Sequence, residues 1–139
     1  MTITEHYSVI RWHDGTAWVD VSVDVAACAL TLTRTTREIY TLGSPDPLLV
    51  QGGRAIRLTL AVARETTAGF YRALLDAEAS SAPLTLELYQ PDMTTGSRKA
   101  SGTFVIAQLA PLDGDAGDGA AGLAEVALSG GRGFAQTTV

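Results

Sequence analysis

The sequence predicts a mainly β fold carrying one α-helix, at about Thr67–Ala79, and three observations carry that expectation. Apolar and polar residues alternate in several short runs, the pattern of strands that bury one face and show the other. One window switches to helical spacing, with Phe70, Leu74 and Ala77 on a stripe and Tyr71 and Leu75 beside it. The chain is 46% hydrophobic and only 18% charged, and its 14 glycines suit a turn-rich folded domain. At 139 residues it reads as one domain, 1–139, able to bury roughly two thirds of its unfolded surface.

Taken in order, His6–Trp12 reads as a strand, His13-Asp14-Gly15-Thr16 as a tight turn and Ala17–Val25 as the returning strand. Asp-Gly between two β-prone runs is a strong hairpin signal. In the return, Val19, Val21, Val23 and Val25 form the packing face, while Asp20 and Asp24 share the polar one. Ala29–Thr35 follows with Leu30 and Leu32 inward, and Arg37–Leu42 continues it. Residues 43–53 read as a long loop with two prolines and a Gly52-Gly53 pair, yet they include Leu48-Leu49-Val50. Three apolar residues in a row there imply a short strand, a loop folded on the core, or a loop buried against a neighbour.

Arg54–Arg64 alternates cleanly, with Ile56, Leu58, Leu60 and Val62 on one face. The helix follows, with Thr66 or Thr67 as its N-cap, placed to cover one face of the sheet from outside. Pro83–Tyr89 sets Leu84, Leu86 and Leu88 against Thr85 and Glu87, and Gln90–Lys99 reads as a polar hairpin loop. Ser101–Ala110 is apolar on both faces, the mark of a central, doubly covered strand. An acidic, Gly-rich loop at Asp113–Gly122, a strand at Leu123–Ser129 and a C-terminal tail at 130–139 complete the chain.

No catalytic constellation accompanies this pattern. Asp113-Gly114-Asp115-Ala116-Gly117-Asp118 invites a calcium reading, but Asp118 stands where an EF-hand loop needs glycine and Ala124 where it needs glutamate. His6 and His13 are seven apart, which on one strand sends them to opposite faces and rules out a shared metal. There is no Gly-x-Ser-x-Gly elbow, and Gly96-Ser97-Arg98-Lys99-Ala100-Ser101 lacks the spacing of a P-loop. The expectation is a protein that is not an enzyme and uses no cofactor and no metal. A single cysteine, Cys28 in an alanine-rich run, excludes an internal disulfide and reads as a small buried hydrophobe.

The net charge is −5, and it is placed unevenly. Residues 1–64 carry six basic and six acidic side chains, whereas residues 65–139 carry four against nine. An acidic domain lacks the electrostatic footprint for neutralising phosphates, which argues against tight nucleic-acid binding. No apolar run approaches the ~20 residues of a membrane span, so the expected site of synthesis and assembly is the cytoplasm.

Three segments together resemble the tail tube (major tail) proteins of long-tailed bacteriophages. The first is Trp18-Val19-Asp20-Val21 with the later Arg34-Thr35-Thr36-Arg37-Glu38. The second is the strand–helix–strand core from Arg54-Ala55-Ile56-Arg57-Leu58-Thr59-Leu60 to Phe70-Tyr71-Arg72-Ala73-Leu74-Leu75-Asp76-Ala77. The third runs from Ser101-Gly102-Thr103-Phe104-Val105-Ile106 through the acidic loop to Ser129-Gly130. Order and spacing agree over most of the chain, and the Trp18–Val21 phrase is also similar to distal or minor tail proteins.

The resemblance implies a β-sandwich or incomplete barrel flanked by one helix. It also implies a virion protein whose copies close into rings, usually hexameric, that stack with other tail proteins into a tube. Such a tube lets DNA pass through its lumen without binding it specifically. Candidate inter-subunit contacts are Leu48, Leu49 and Val50 in the long loop and Arg132 and Phe134 in the tail. A second reading from another class is a carbohydrate- or protein-binding β-sandwich at a tail tip, with Tyr7, Trp12 and Trp18 as an aromatic platform.

Overall fold

A computed structural model describes residues 2–64, 69–111, 122–131 and 133–139, with Pro111 described by its backbone. Among these residues the chain forms nine strands and one helix. They are β1 (Thr2–His6), β2 (Val9–His13), β3 (Trp18–Asp20), β4 (Val25–Ile39), β5 (Leu48–Ala63), α1 (Phe70–Ser80), β6 (Leu84–Gln90), β7 (Arg98–Pro111), β8 (Leu123–Gly130) and β9 (Ala135–Thr138). All pairings are antiparallel, in the order β1-β4-β5-β8-β7-β6-β2-β3, with β9 added to β7.

The two ends of this sheet meet. The expected single strand His6–Trp12 is instead two strands with a corner at Tyr7-Ser8, and the corner is what curls the sheet. Tyr7 N–H donates to the Cys28 carbonyl of β4 at 3.2 Å, while Ser8 N–H donates to the Tyr89 carbonyl of β6 at 3.0 Å. One chain segment thus pairs with both flanks of the sheet, and the result is a curled, barrel-like antiparallel sheet. This agrees with the mainly β, incomplete-barrel expectation.

Alternation decides which side chains fill the interior. Leu30 of β4 faces Leu58 of β5, Leu58 faces Leu128 of β8, and Leu128 faces Ile106 of β7. Leu84, Leu86 and Leu88 of β6 complete the inner wall, and Ile10 and Trp12 of β2 close it. Burying each such side chain contributes about 1.5–3 kcal/mol. β7 is central, as expected, but it is not doubly covered. Phe104 is fully buried while its neighbour Val105 is 47% exposed, because nothing among the described residues covers the outer face there.

The helix flanks the sheet with its apolar stripe on the inner face of the curl and its other side exposed. Phe70, Leu74 and Ala77 are buried, and the Phe70 ring sits 6.1 Å from that of Trp12, an inward residue. The sequence shows an apolar stripe but not which surface of the sheet it meets. Once the sheet curls, the apolar volume is on its inner side, and the stripe fills it. Gly69, with φ +75°, holds the N-cap position and makes no side-chain cap. Residues 67 and 68 of the predicted helix, and the N-cap candidates Thr66 and Thr67, lie outside the described residues.

Three further expectations change. The return strand Ala17–Val25 stops at Asp20 and gives way to a single 3-10 turn at Ser22–Asp24, which breaks the valine alternation. Val21 is then fully buried but Val23 is 77% exposed, and Asp24 is buried while Asp20 faces out to accept a bond from Ser22 N–H at 2.9 Å. The long loop at 43–53 is only half loop, since Leu48–Gly53 belongs to β5 and pairs with the far end of β4. The C-terminal tail folds back, and β9 pairs residue for residue with Arg98–Ser101. Val139 finishes it by donating to the Ser97 carbonyl and accepting from Gly96 N–H, each at 2.8 Å.

Candidate functional site

The most conspicuous surface grows out of the two longest strands. β4 and β5 pair from Val25↔Val62 to Ile39↔Leu48, with irregularities between Val25 and Ala27 and between Arg34 and Thr36. β1 supports β4 only over Ala29–Thr33, and β8 supports β5 only over Ile56–Ala63. Beyond those limits, among the described residues, the hairpin stands alone as an arm with two open backbone edges. Open edges are templates for pairing with another chain.

The arm is apolar as well as open. Ile39, Tyr40, Leu42, Leu48, Leu49 and Val50 are all exposed large hydrophobics, Leu42 entirely so and Leu49 to 64%. Exposed patches of this kind on a soluble chain mark contact surfaces. Of the predicted contacts, Leu48, Leu49 and Val50 therefore lie together on the arm. Ile39, Tyr40 and Leu42 are exposed beside them, although Arg37–Leu42 reads in the sequence as an ordinary strand. What joins them is the pairing of Ile39 with Leu48, which doubles one apolar run with another.

The arm keeps its own polar fittings. Arg34 Nη1 donates to Gln51 Oε1 across the strands at 2.8 Å, and a Cβ on Gly52 would collide with the Thr35 side chain. The glycine at that position lets the two strands stay close past the bulge.

The other two predicted contacts fare differently. Phe134 is half-buried within its own chain, its ring 6.3 Å from Phe104 in an edge-on contact and 5.3 Å from the Arg54 guanidinium. That packing ties β9 to the body of its own chain and leaves Phe134 partly exposed. Arg132 lies outside the described residues, as does the Asp113–Asp118 stretch.

A second polar cluster forms around Glu5 of β1. Glu5 accepts from the Tyr7 hydroxyl at 2.8 Å and from Gln136 Nε2 at 3.0 Å, and it pairs with Arg98. Burial pushes the Tyr7 hydroxyl up to about 12, with the Gln136 bond opposing and the Glu5 carboxylate reinforcing. This cluster ties β1, β7 and β9 together.

On the outer face, Glu87 departs from its expected role as an exposed polar residue. It is only 6% exposed, paired with Lys99 Nζ at 2.6 Å and Arg11 Nη1 at 3.7 Å, and it accepts from the Tyr89 hydroxyl at 2.8 Å. Burial alone would raise its carboxyl, but the bonds from Lys99 and Tyr89 and the charge of Arg11 outweigh it and hold the group below the usual carboxylate range. The Glu87 partner in turn raises Lys99. Cross-strand pairs on β2, β6 and β7 assemble this cluster, so its parts are scattered in sequence.

The aromatic platform does not form. Trp12 points inward onto Phe70, Tyr7 is buried, and Trp18 alone stays on the outer face beside His13 and Arg11. Among the described residues no group of three or more His, Cys, Asp or Glu side chains is placed to hold a metal. The histidines lie on separate strands, and burial pushes the Cys28 thiol up to about 12, far from a reactive thiolate.

No family model and no curated protein sequence matches the chain. Solved structures do. One is described as the virion of a native gene transfer agent (GTA) particle, with a TM-score of 0.70 and 15% identity over 94% of this chain and 95% of that one. Another is the tail of an empty GTA particle computed with helical refinement and C6 symmetry, with a TM-score of 0.71 and 15% identity over 93% and 94%. The chain therefore shares its fold, end to end, with proteins of phage-like tails.

Proposed function

We propose that this protein is a non-enzymatic structural subunit of a virion tail. Its copies associate with one another into rings, and the rings stack with other tail proteins into a tube through which DNA leaves the particle. The observation that carries the reading is the arm, an apolar, open-edged hairpin without a partner among the described residues, on a fold shared over almost its full length with GTA tail particles. The six-fold symmetry of one of those tails supports a hexameric ring. The acidic balance suits a conduit, since a wall that neutralised phosphates would hold the DNA it must release. The same likeness supports a location in the tail of the virion, and the proposed place of assembly is the host cytoplasm.

The test is electron microscopy of the purified protein over a concentration series, beside the variant Leu42→Asp/Leu49→Asp. Both positions are exposed, so the variant is expected to keep its melting temperature and lose rings and tubes. A wild-type chain that stays monomeric at every concentration, or a variant that builds normal tubes, overturns the reading.

A further inference from the structure

The two faces of the arm are not equivalent, and a bulge at its base decides what each one carries. Between Arg34↔Arg54 and Thr36↔Gln51, β4 advances by two residues while β5 advances by three. Gly52 and Gly53 therefore share the single partner Thr35, and a Cβ on Gly52 would collide with Thr35 Oγ1. One extra residue reverses the alternation of β5. In the body, Ile56 and Leu58 face inward with Leu32 and Leu30, and Arg54 continues that face beside Arg34. Past the bulge the inward set is Gln51 and Leu49, opposite Thr36 and Glu38. Val50 and Leu48 turn outward, opposite Arg37 and Ile39. Two side-chain bonds agree with this phase: Arg34 Nη1 donates to Gln51 Oε1 at 2.8 Å, and the Tyr40 hydroxyl donates to Glu38 Oε2 at 3.1 Å.

The outer side of the arm is thus an exposed apolar blade of Ile39, Leu48 and Val50, with Arg37 as the charged residue among its paired positions. The inner side is polar, with Glu38, Tyr40 and Gln51 around Leu49. Leu42 stands at the tip beyond the paired residues and belongs to neither side. We propose that the outer side is the surface by which one copy of the chain holds a second copy, and that the inner side stays in water. The proposal rests on the tail-subunit reading and names the face of the arm that it uses.

Burial sorts the two sides. Covering Ile39, Leu48 and Val50 removes apolar surface from water, and Arg37 can run its stem along the blade while its guanidinium stays at the rim. Covering the inner side would strip water from the Glu38 carboxylate, with which no cation pairs among the described residues. Burying a carboxylate without a cation is costly. The blade also continues into the outer wall of the body, where Thr31, Thr33, Ala55 and Thr59 are small and uncharged and Arg57 is the charge among them. A second copy can therefore lie against blade and wall together. In the hexameric ring proposed above, rotation alone relates the copies, so the blade meets a different surface of its neighbour and the contact repeats without ending at a dimer.

Thiol footprinting tests the assignment. The native Cys28 is buried and does not compete. Leu48→Cys, Val50→Cys and Leu49→Cys are prepared singly, each is co-assembled as a minor fraction with the unmodified chain, and each is reacted with a water-soluble maleimide before and after assembly. Only this chain is present, so protection reports a second copy. The labelling rate is expected to fall by about tenfold or more on assembly at Leu48→Cys and Val50→Cys, and by less than about twofold at Leu49→Cys. Protection of Leu49→Cys with the other two still reactive, or equal protection of all three, overturns the face assignment and leaves the tail-subunit reading standing. Tubes in which all three stay reactive overturn the arm as a contact of any kind. Failure of the unmodified chain to assemble overturns both readings.

Discussion

The body of the curled sheet and the arm share two strands, β4 and β5, which obey the same alternation with opposite results. In the body, Leu30, Leu58 and Leu60 are buried because β8, β7 and β6 curl round to meet them. In the arm, Leu48, Leu49 and Val50 stay exposed because, among the described residues, β4 and β5 have only each other. A two-stranded ribbon is marginal on its own and has no core to bury. Apolar side chains there weaken solubility without stabilising the fold, unless another molecule covers them. The comparison teaches that strand pattern alone does not separate core from contact surface; the number of neighbouring strands does.

If that division holds, substitutions in the body should cost folding and substitutions in the arm should not. Phe70→Ala removes the buried ring that seals the helix end against Trp12. It is expected to cost about 3–5 kcal/mol, read by urea denaturation. A cost below about 1 kcal/mol would mean that the helix is not part of the core.

Gly130 offers a sharper contrast with Gly53. A Cβ on Gly130 would lie 2.8 Å from Ile56 Cγ2 and 3.1 Å from Phe104 Cε1, so Gly130→Ala is expected to cost about 1–3 kcal/mol. A Cβ on Gly53, in the arm, meets nothing within 4 Å. Gly53→Ala should change stability by no more than about 0.5 kcal/mol in the same titration. Equal effects at the two glycines would erase the distinction between body and arm.

Glu87 extends the comparison to the outer face of the body. Its folded carboxyl lies below its unfolded value, so the stability it adds is present above the unfolded pKa of about 4.3 and is lost as pH falls through the folded one. Glu87→Gln is expected to cost about 1–2 kcal/mol at neutral pH, and to flatten stability against pH below about 4.3. An unchanged acid limb would show that the ion cluster does not couple to folding. Tyr7→Phe removes the hydrogen bond to Glu5 and the longer one from Gln136 Nε2, and should cost about 1 kcal/mol, the smallest effect expected in the body.

Much of the fold was legible in the sequence, for a local reason. The Asp14-Gly15 hairpin, the inward sets Ile56–Val62 and Leu84–Leu88, and the stripe of α1 each depend on spacing within one element, and spacing is a sequence property. The candidate contacts were legible in part. Leu48, Leu49 and Val50 announced themselves as an apolar run where a loop was expected, but Ile39, Tyr40 and Leu42 looked like any strand end.

What only the tertiary structure decided is which surfaces meet. The Tyr7-Ser8 corner curls the sheet through two backbone bonds to strands far away in sequence, and the curl gives the helix stripe an inner face to pack on. Phe134 reads as a tail residue until β9 returns to β7 and sets it against Phe104 and Arg54. Glu87 reads as a surface polar residue until three strands bring Arg11, Tyr89 and Lys99 around it. By itself, then, the sequence determined a mainly β domain with one helix and without an evident catalytic set. The curl of the sheet decided which apolar residues became core and which were left on an arm, because burial depends on neighbours that alternation along one strand does not specify.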